Sequence, residues 1–344
     1  MYRILEFVIA AVLTVLLFVV IALFLPSSAQ VERRIELSNP TTQVYDVLNH
    51  FKRYNQWQPW ATDPLTKYSV EGSEFGVGAR FNWNNLFNKQ LGTGSLEIVE
   101  SAPDERIVMA LDNPWRGRNK TQTFLLEPDT KTNSVTLRWI IDVDYGWDLI
   151  GRFAGLYLNG SVGESMRTGL GRFATLMASV PNVDYSQIEI STVDVPPVDL
   201  FYIGVSAPAA PRSWTDAVVI MDKAWDEVAT FIERNQLAPI GDKRRIINVL
   251  GEENNDFNIG YAVPPNSLVP TGNIRAAQSL GTRALTTQYR GHRVGLGKAR
   301  DMLRAYAITH GYQFDRDLRG AWEEWPPENE ETGEVLTTLY LPFN

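Results

Sequence analysis

One stretch of this chain limits its architecture before any other. Phe7 to Leu25 runs for 19 residues with Thr14 as its single polar member. A helix rises about 1.5 Å per residue, so the run nearly matches a hydrocarbon core of about 30 Å. A helix of this length inside a soluble core would show a polar face, and this one has none. Ser27-Ser28-Ala29 offers a small-residue cleavage site, the mark of a secretory signal. The apolar run exceeds the roughly 7–15 residues of a signal core, however, so residues 1–30 read as an uncleaved single-pass anchor. Arg3 lies before the span and Arg33 and Arg34 lie beyond it, which specifies orientation poorly. The default orientation, N-terminus inside, would leave the remainder outside the cytoplasm.

That remainder is long enough for two domains. Zero cysteines exclude disulfides, thiolate metal sites and cysteine nucleophiles, and three histidines give little material for a histidine-rich metal centre. No metal or other cofactor is expected. Residues 31–180 are nearly neutral at −1, whereas residues 181–344 carry −7. Nucleic acid needs a basic surface, so it is not an expected partner of either half. Lys243-Arg-Arg245 is a basic cluster too small to define a lipid-binding surface.

In residues 31–180, Val31–Leu37 alternates as a strand, and Thr41–Phe51 has helical spacing, with Thr41 or Thr42 as a candidate N-cap. Strand-like runs follow at Tyr68–Val70, Ala79–Trp83, Gly94–Glu100, Arg106–Leu111, Thr121–Glu127 and Ser134–Asp144, before a long helix over Leu156–Ala178. Gly76, Gly78, Gly92 and Gly94 read as turns or bulges in a bent sheet, since no strand-then-helix context makes them a phosphate loop. His50 reads as a surface helix residue. Several segments carry a resemblance: Val31-Glu-Arg-Arg-Ile35, Trp57-Gln-Pro-Trp60 with Asp63-Pro64, Gly76-Val-Gly-Ala79 with Trp83, Gly92-Thr-Gly94, Glu100-Ser-Ala-Pro103 and the closing Gly163–Leu176. They resemble the START/Bet v1-like superfamily, whose members are often labelled polyketide cyclase-like. The resemblance implies a helix-grip fold, a curved sheet wrapping a long helix around an apolar cavity. Trp57, Trp60 and Trp83 become candidate cavity residues, and the core is the competing place for Trp57 and Trp60.

Residues 185–344 show a weak internal duplication of strand, helix and paired strands, with a period of roughly 75–80 residues. The strands are Ser186–Val193, Leu200–Val205, Arg245–Leu250 and Asp256–Val263, then Ile274–Gln278, Arg283–Tyr289 and Glu334–Leu341. The helices are Thr215–Gln236 and Gly295–His310. Tyr289-Arg-Gly291, Ala321-Trp-Glu-Glu-Trp325 and Thr337–Phe343 resemble the GyrI-like domain, the effector-binding domain of AraC- and MerR-type regulators. By position, the resemblance places Glu323 as a glutamate inside an aromatic pocket, with Trp325 where a tyrosine is usual. Trp322, Tyr289 and Tyr340 complete the expected ligand set. A desolvated carboxylate there favours a cationic ligand, helped by cation–π attraction, or becomes a general acid/base. The competing reading takes Glu323 and Glu324 as a solvated acidic stretch continuing into Glu328, Glu330 and Glu331. His292 is expected at the surface of the helix entrance.

The chain as a whole is therefore expected to be α+β: an anchor, a helix-grip domain at 31–180 and a duplicated GyrI-like domain at 185–344. The expected function is a membrane-anchored binding protein, using two tandem cavity domains, for small hydrophobic or amphipathic ligands, cationic ones included. The alternative is a GyrI-like hydrolase or cyclase-type enzyme with Glu323 as acid/base and Tyr289 or Tyr340 orienting the substrate.

Overall fold

The computed structural model describes residues 2–88, 91–129, 131–132, 134–209, 214–279, 281–291, 295–326 and 335–344. His292, Glu328, Glu330 and Glu331 lie outside these residues. The chain divides into two compact units, 1–182 and 183–344. The fold is α+β, with an apolar N-terminal helix and two antiparallel sheets.

The first helix, α1, is Tyr2–Phe24. Within its span Arg3–Phe24, an 18-residue window has a mean hydropathy of 3.2 and is almost wholly uncovered by protein, so the helix is long and apolar enough to cross a membrane. A signal sequence near an N-terminus has the same properties.

The first unit continues with β1 (Ser28–Leu37), α2 (Thr41–Leu48) and α3 (Tyr54–Trp57). A short 3-10 turn at Pro59–Thr62 follows. Next come β2 (Lys67–Gly72), β3 (Ala79–Asn84), β4 (Thr93–Ala102), β5 (Arg106–Asp112), β6 (Arg118–Asp129) and β7 (Ser134–Asp144). The unit closes with α4 (Leu149–Ala178). The sheet order is β1-β7-β6-β5-β4-β3-β2, so chain order is kept except that β1 pairs with β7. Along β6, Lys120, Gln122, Phe124 and Leu126 are buried at every second position, the strand period. Val162, Met166, Leu170, Phe173 and Met177 form the buried stripe of α4 at helical spacing. Gly169 lets the helix approach closely: a Cβ there would stand 2.8 Å from Pro59 and 2.9 Å from the Trp139 ring. The helix-grip arrangement read from the sequence is thus present.

Three local expectations need correction. Pro40 precedes α2 and Thr41 is already helical, so neither threonine caps it by a side-chain hydrogen bond. The helix ends at Leu48, short of Phe51. His50 is fully buried rather than on the surface. Its Nδ1 accepts from the Lys52 amide at 3.0 Å and its ring meets the Phe75 ring edge-on at 5.3 Å. The histidine is internal because the chain turns inward once the helix stops.

The second unit contains β8 (Ser191–Val195), β9 (Val198–Pro208), α5 (Trp214–Arg234), β10 (Ile240–Leu250) and β11 (Asn254–Val263). It continues with β12 (Arg275–Ser279), β13 (Thr282–Gly291), α6 (Leu296–Thr309), β14 (Trp322–Trp325) and β15 (Val335–Phe343). The sheet order is β12-β9-β11-β10-β14-β15-β13-β8. The duplication is explicit in that order. Each half contributes a strand, a helix and two strands, its leading short strand (β8 or β12) crosses to the other half's edge, and β10 and β14 meet at the centre. Trp225 and Met221 from α5 and Leu296, Ala299 and Leu303 from α6 share one core with Phe257, Ile259, Leu339 and Leu341 of the sheet, so both helices cover the same face. The expected strand Ser186–Val193 begins only at Ser191. β14 was not expected as a strand, since two adjacent glutamates have poor strand propensity.

Candidate functional site

In the first unit, the sheet and the α3 region leave an apolar cavity. Tyr54, Trp60, Phe81, Trp83, Leu96, Leu111 and Trp115 form most of its wall, with Gln58, Asn113 and Gln122 among the polar members. Trp60 and Trp83 are therefore at the cavity. Trp57 is not on its wall: it is 1% exposed and meets Tyr54, Phe124, Trp139 and Phe173 edge-on at 5.1–6.0 Å. The three-residue spacing of Trp57 and Trp60 spans a change from α3 to the 3-10 turn, which sends the two rings to different environments.

The cavity has one polar corner. Gln58 Nε2 and Gln122 Nε2 donate to the Tyr54 hydroxyl at 2.5 and 2.9 Å, and Trp139 Nε1 donates to Gln122 Oε1 at 3.0 Å. Burial pushes the Tyr54 phenol well above its usual range, and the bonds from Gln122 and Gln58 offset part of that. Tyr54 is consequently a neutral O–H group. With both amides donating to its oxygen, its own proton stays available to an acceptor. Gln58 Oε1 is buried and has no partner among the described residues. Sequence reasoning missed Tyr54, Gln58 and Gln122, because polar residues at core positions are visible only once the strands are in register.

A buried lysine shapes the cavity wall. Lys120 is 7% exposed, and its Nζ donates to Asn113 O at 2.6 Å, Asn113 Oδ1 at 2.8 Å and Trp115 O at 3.0 Å. Burial lowers its pKa, opposed by the nearby Asp112 carboxylate. Three bonds from one ammonium thus fix the loop that brings Asn113 and Trp115 to the ligand space.

In the second unit, the central pair β10–β14 sets Lys243 opposite Trp325, Arg244 opposite Glu324, Arg245 opposite Glu323 and Ile246 opposite Trp322. Because side chains alternate, the strand pair carries one ion pair on each face. Arg245–Glu323 lies on the helix-covered face. Glu323 is 1% exposed, and each of its carboxylate oxygens is occupied. Oε2 accepts from Arg245 Nε at 2.9 Å, from Arg245 Nη2 and from Trp325 Nε1 at 3.0 Å; Oε1 accepts from Arg300 Nε at 2.6 Å. The Arg245 guanidinium also sits 4.6 Å from the Trp325 ring and 4.9 Å from the Phe257 ring. Burial alone would raise the carboxyl pKa, but the charges of Arg245 and Arg300 and their hydrogen bonds overcome it and hold it at about 2.

The expected ligand set is therefore divided. Glu323 and Trp325 share the helix side, where Tyr289 packs against the core. Trp322 and Tyr340 stack on the opposite face, 4.7 Å apart at 8°. Burial, followed by the Glu324 charge, pushes the Tyr340 phenol up to about 12. The void beside Glu323 is smaller than the first unit's cavity. The residues 243–245 cluster is engaged within the unit: Lys243 Nζ lies 3.7 Å from Asp222 and 4.4 Å from the Trp225 ring, and both arginines are buried and paired. Among the described residues, no group of three or more His, Cys, Asp or Glu residues is arranged to hold a metal ion.

Similar folds occur among solved structures. The EcmrR C-terminal domain is 15% identical, with a TM-score of 0.38, over 46% of this chain and 98% of that one. Protein CV1439 from Chromobacterium violaceum is 18% identical, with a TM-score of 0.32, over 44% and 98%. SAV2435, solved bound to tetraphenylphosphonium, is 7% identical, with a TM-score of 0.35, over 45% and 94%. These likenesses are distant. Among the curated proteins, none matches the chain in sequence. Residues 28–178 match the family described as "Polyketide cyclase / dehydrase and lipid transport", which agrees with a ligand-binding domain built around the first unit's cavity.

Proposed function

We propose that this protein is a membrane-anchored binding protein, and that its main ligand is a small, uncharged, largely apolar molecule held in the cavity of the first unit. One observation carries the reading: a pocket walled mostly by aromatic and aliphatic side chains opens around a neutral polar corner. That lining suits a small-molecule site, in which apolar burial supplies affinity and a few polar groups fix orientation. Tyr54 and Gln58 offer one donor and one acceptor and no charge, so an ion would be desolvated without compensation. Helix α1 would serve as the anchor, with the soluble units on the extracytoplasmic side.

A cationic ligand at Glu323 has less support. Two arginines already meet one carboxylate there, so the cluster carries a net positive charge. The enzymatic reading is weakened by the same contacts. A general acid/base needs a pKa near the working pH and a free oxygen, and Glu323 is held at about 2 with both oxygens engaged.

The test is a titration of the full chain, in detergent, with the neutral fluorophore N-phenyl-1-naphthylamine. One saturable site is expected. Leu111→Trp, which places an indole in the cavity, should weaken it by about tenfold or more while the melting temperature holds, because the loss is of space rather than of fold. Equal affinity in wild type and Leu111→Trp would overturn the proposal.

A further inference from the structure

The face of the second unit that the helices leave uncovered holds a second pocket. Val195, Leu200, Ile246 and Pro342 supply apolar wall, and Arg244 and Trp322 join them. These residues come from β8, β9, β10, β14 and β15, so the pocket straddles the centre of the duplicated sheet. It is separated by the thickness of the sheet from the side chain of Glu323.

The hydrogen bonding around this pocket is incomplete in one direction only. Arg244 and Trp322 are 9% and 8% exposed. Arg244 Nη2 lies 2.8 Å from Glu324 Oε1, and the Tyr340 hydroxyl donates to Glu324 Oε2 at 3.2 Å, so both Glu324 oxygens are engaged. Arg244 Nε–H and Trp322 Nε1–H, by contrast, are buried and have no acceptor among the described residues. Buried N–H groups are nearly always paired, so two unpaired donors on residues lining one pocket call for an acceptor from elsewhere. The electrostatics narrow its class. Arg244 and Glu324 form an ion pair here, so the pair adds no net charge to this face. An anion would meet Glu324 and a cation would meet Arg244.

We propose that this pocket is a second ligand site, and that it takes a neutral, flat, apolar molecule bearing a carbonyl that accepts from Trp322 Nε1 and Arg244 Nε. The indole of Trp322, already stacked on Tyr340, presents an aromatic surface to such a ligand. The site is independent of the first unit's cavity and of any role for Glu323.

Photolabelling of the full chain in detergent with benzophenone, a diaryl ketone, tests this. Irradiation should join the probe to C–H groups of Leu200, Ile246 or Pro342, located by peptide mass spectrometry. Labels on residues 54–122 report the first unit's cavity and are counted separately, so either site can fail alone. Fluorenone should compete for the second-unit label. Fluorene, the same frame without the carbonyl, should compete about twentyfold or more less well, the effect expected of two lost hydrogen bonds, one of them to a charged donor. Fluorene-2-carboxylate should not compete. Trp322→Phe, which keeps a ring and removes the N–H, should reduce the label by about fivefold, the effect expected of one lost hydrogen bond. Absence of label on these residues, equal competition by fluorene and fluorenone, or full labelling of a folded Trp322→Phe would each overturn the proposal. The competition series needs only the wild-type protein, so it decides the matter even if the variant fails to fold.

Discussion

The two units place buried polar side chains against a sheet in opposite ways. In the first, Tyr54, Gln58 and Gln122 are neutral, are linked through the Tyr54 hydroxyl and stand beside an open apolar pocket. In the second, Glu323 is charged and is clasped by Arg245, Arg300 and Trp325, with little room left. The contrast follows from solvation. A buried amide or phenol costs little when it has one or two partners, so its remaining valence can be left for a ligand. A buried carboxylate must be compensated almost completely, and the groups that compensate it occupy the space around it. A glutamate inside an aromatic cluster therefore does not by itself mark a cation site; its neighbours across the sheet decide.

The largest test of this contrast is Glu323→Gln. It leaves the buried Arg245 without its counter-charge, and stability measured by urea unfolding should fall by about 3–5 kcal/mol. Arg300→Gln should cost far less, because the Arg245–Glu323 pair stays neutral. Comparable losses from the two variants would show that the cluster is not organised around charge balance.

Acid should act in the same direction. The Glu323 carboxyl falls from an ordinary 4.5 to about 2 on folding. A lowered folded-state pKa contributes stability that is complete above 4.5 and is lost as pH falls towards 2. The linked contribution is about 3 kcal/mol at neutral pH. Acid unfolding followed on wild type and Glu323→Gln should show this difference shrinking between pH 4.5 and 2. A gap that stays constant with pH would refute the linkage.

Smaller effects are expected around the first unit's cavity. A Cβ on Gly94 would lie 2.3 Å from the Trp83 ring and 2.5 Å from Asp112 O. Gly94→Ala should therefore cost about 1–3 kcal/mol and displace Trp83 from the cavity wall, seen as weaker probe binding. Lys120→Met should cost about 1–2 kcal/mol by leaving the Asn113 and Trp115 carbonyls unpaired. It should also speed release of a bound probe, because the 113–115 loop loses its tether. Unchanged release kinetics would mean that this loop does not gate the cavity.

Most elements were legible where hydrophobic periodicity is strong. The Ser134–Asp144 strand was read with both ends correct, and α5 and α6 within two residues at either end. The failures share a cause. β14 is only four residues, Trp-Glu-Glu-Trp, and it is a strand because β10 and β15 flank it with Arg244 and Arg245 opposite its glutamates. His50 was assigned outward by extending a helix that stops at Leu48. Trp60 and Trp83 were found among the cavity residues because a resemblance pointed to them. Tyr54, Gln58 and Gln122 had no such signal.

The sequence by itself determined which segments bury and in what order they run. Apolar periodicity, the long apolar helix and the internal duplication are properties of consecutive residues, and they follow from the cost of exposing apolar surface. Only the tertiary structure decided which polar groups face one another. Arg245 and Glu323 are 78 residues apart in the chain and make one ion pair, while the adjacent Glu324 turns to the other face to meet Arg244. A carboxylate's chemistry depends on charges within a few ångströms, and such neighbours are set by strand register and helix placement, which no local spacing encodes.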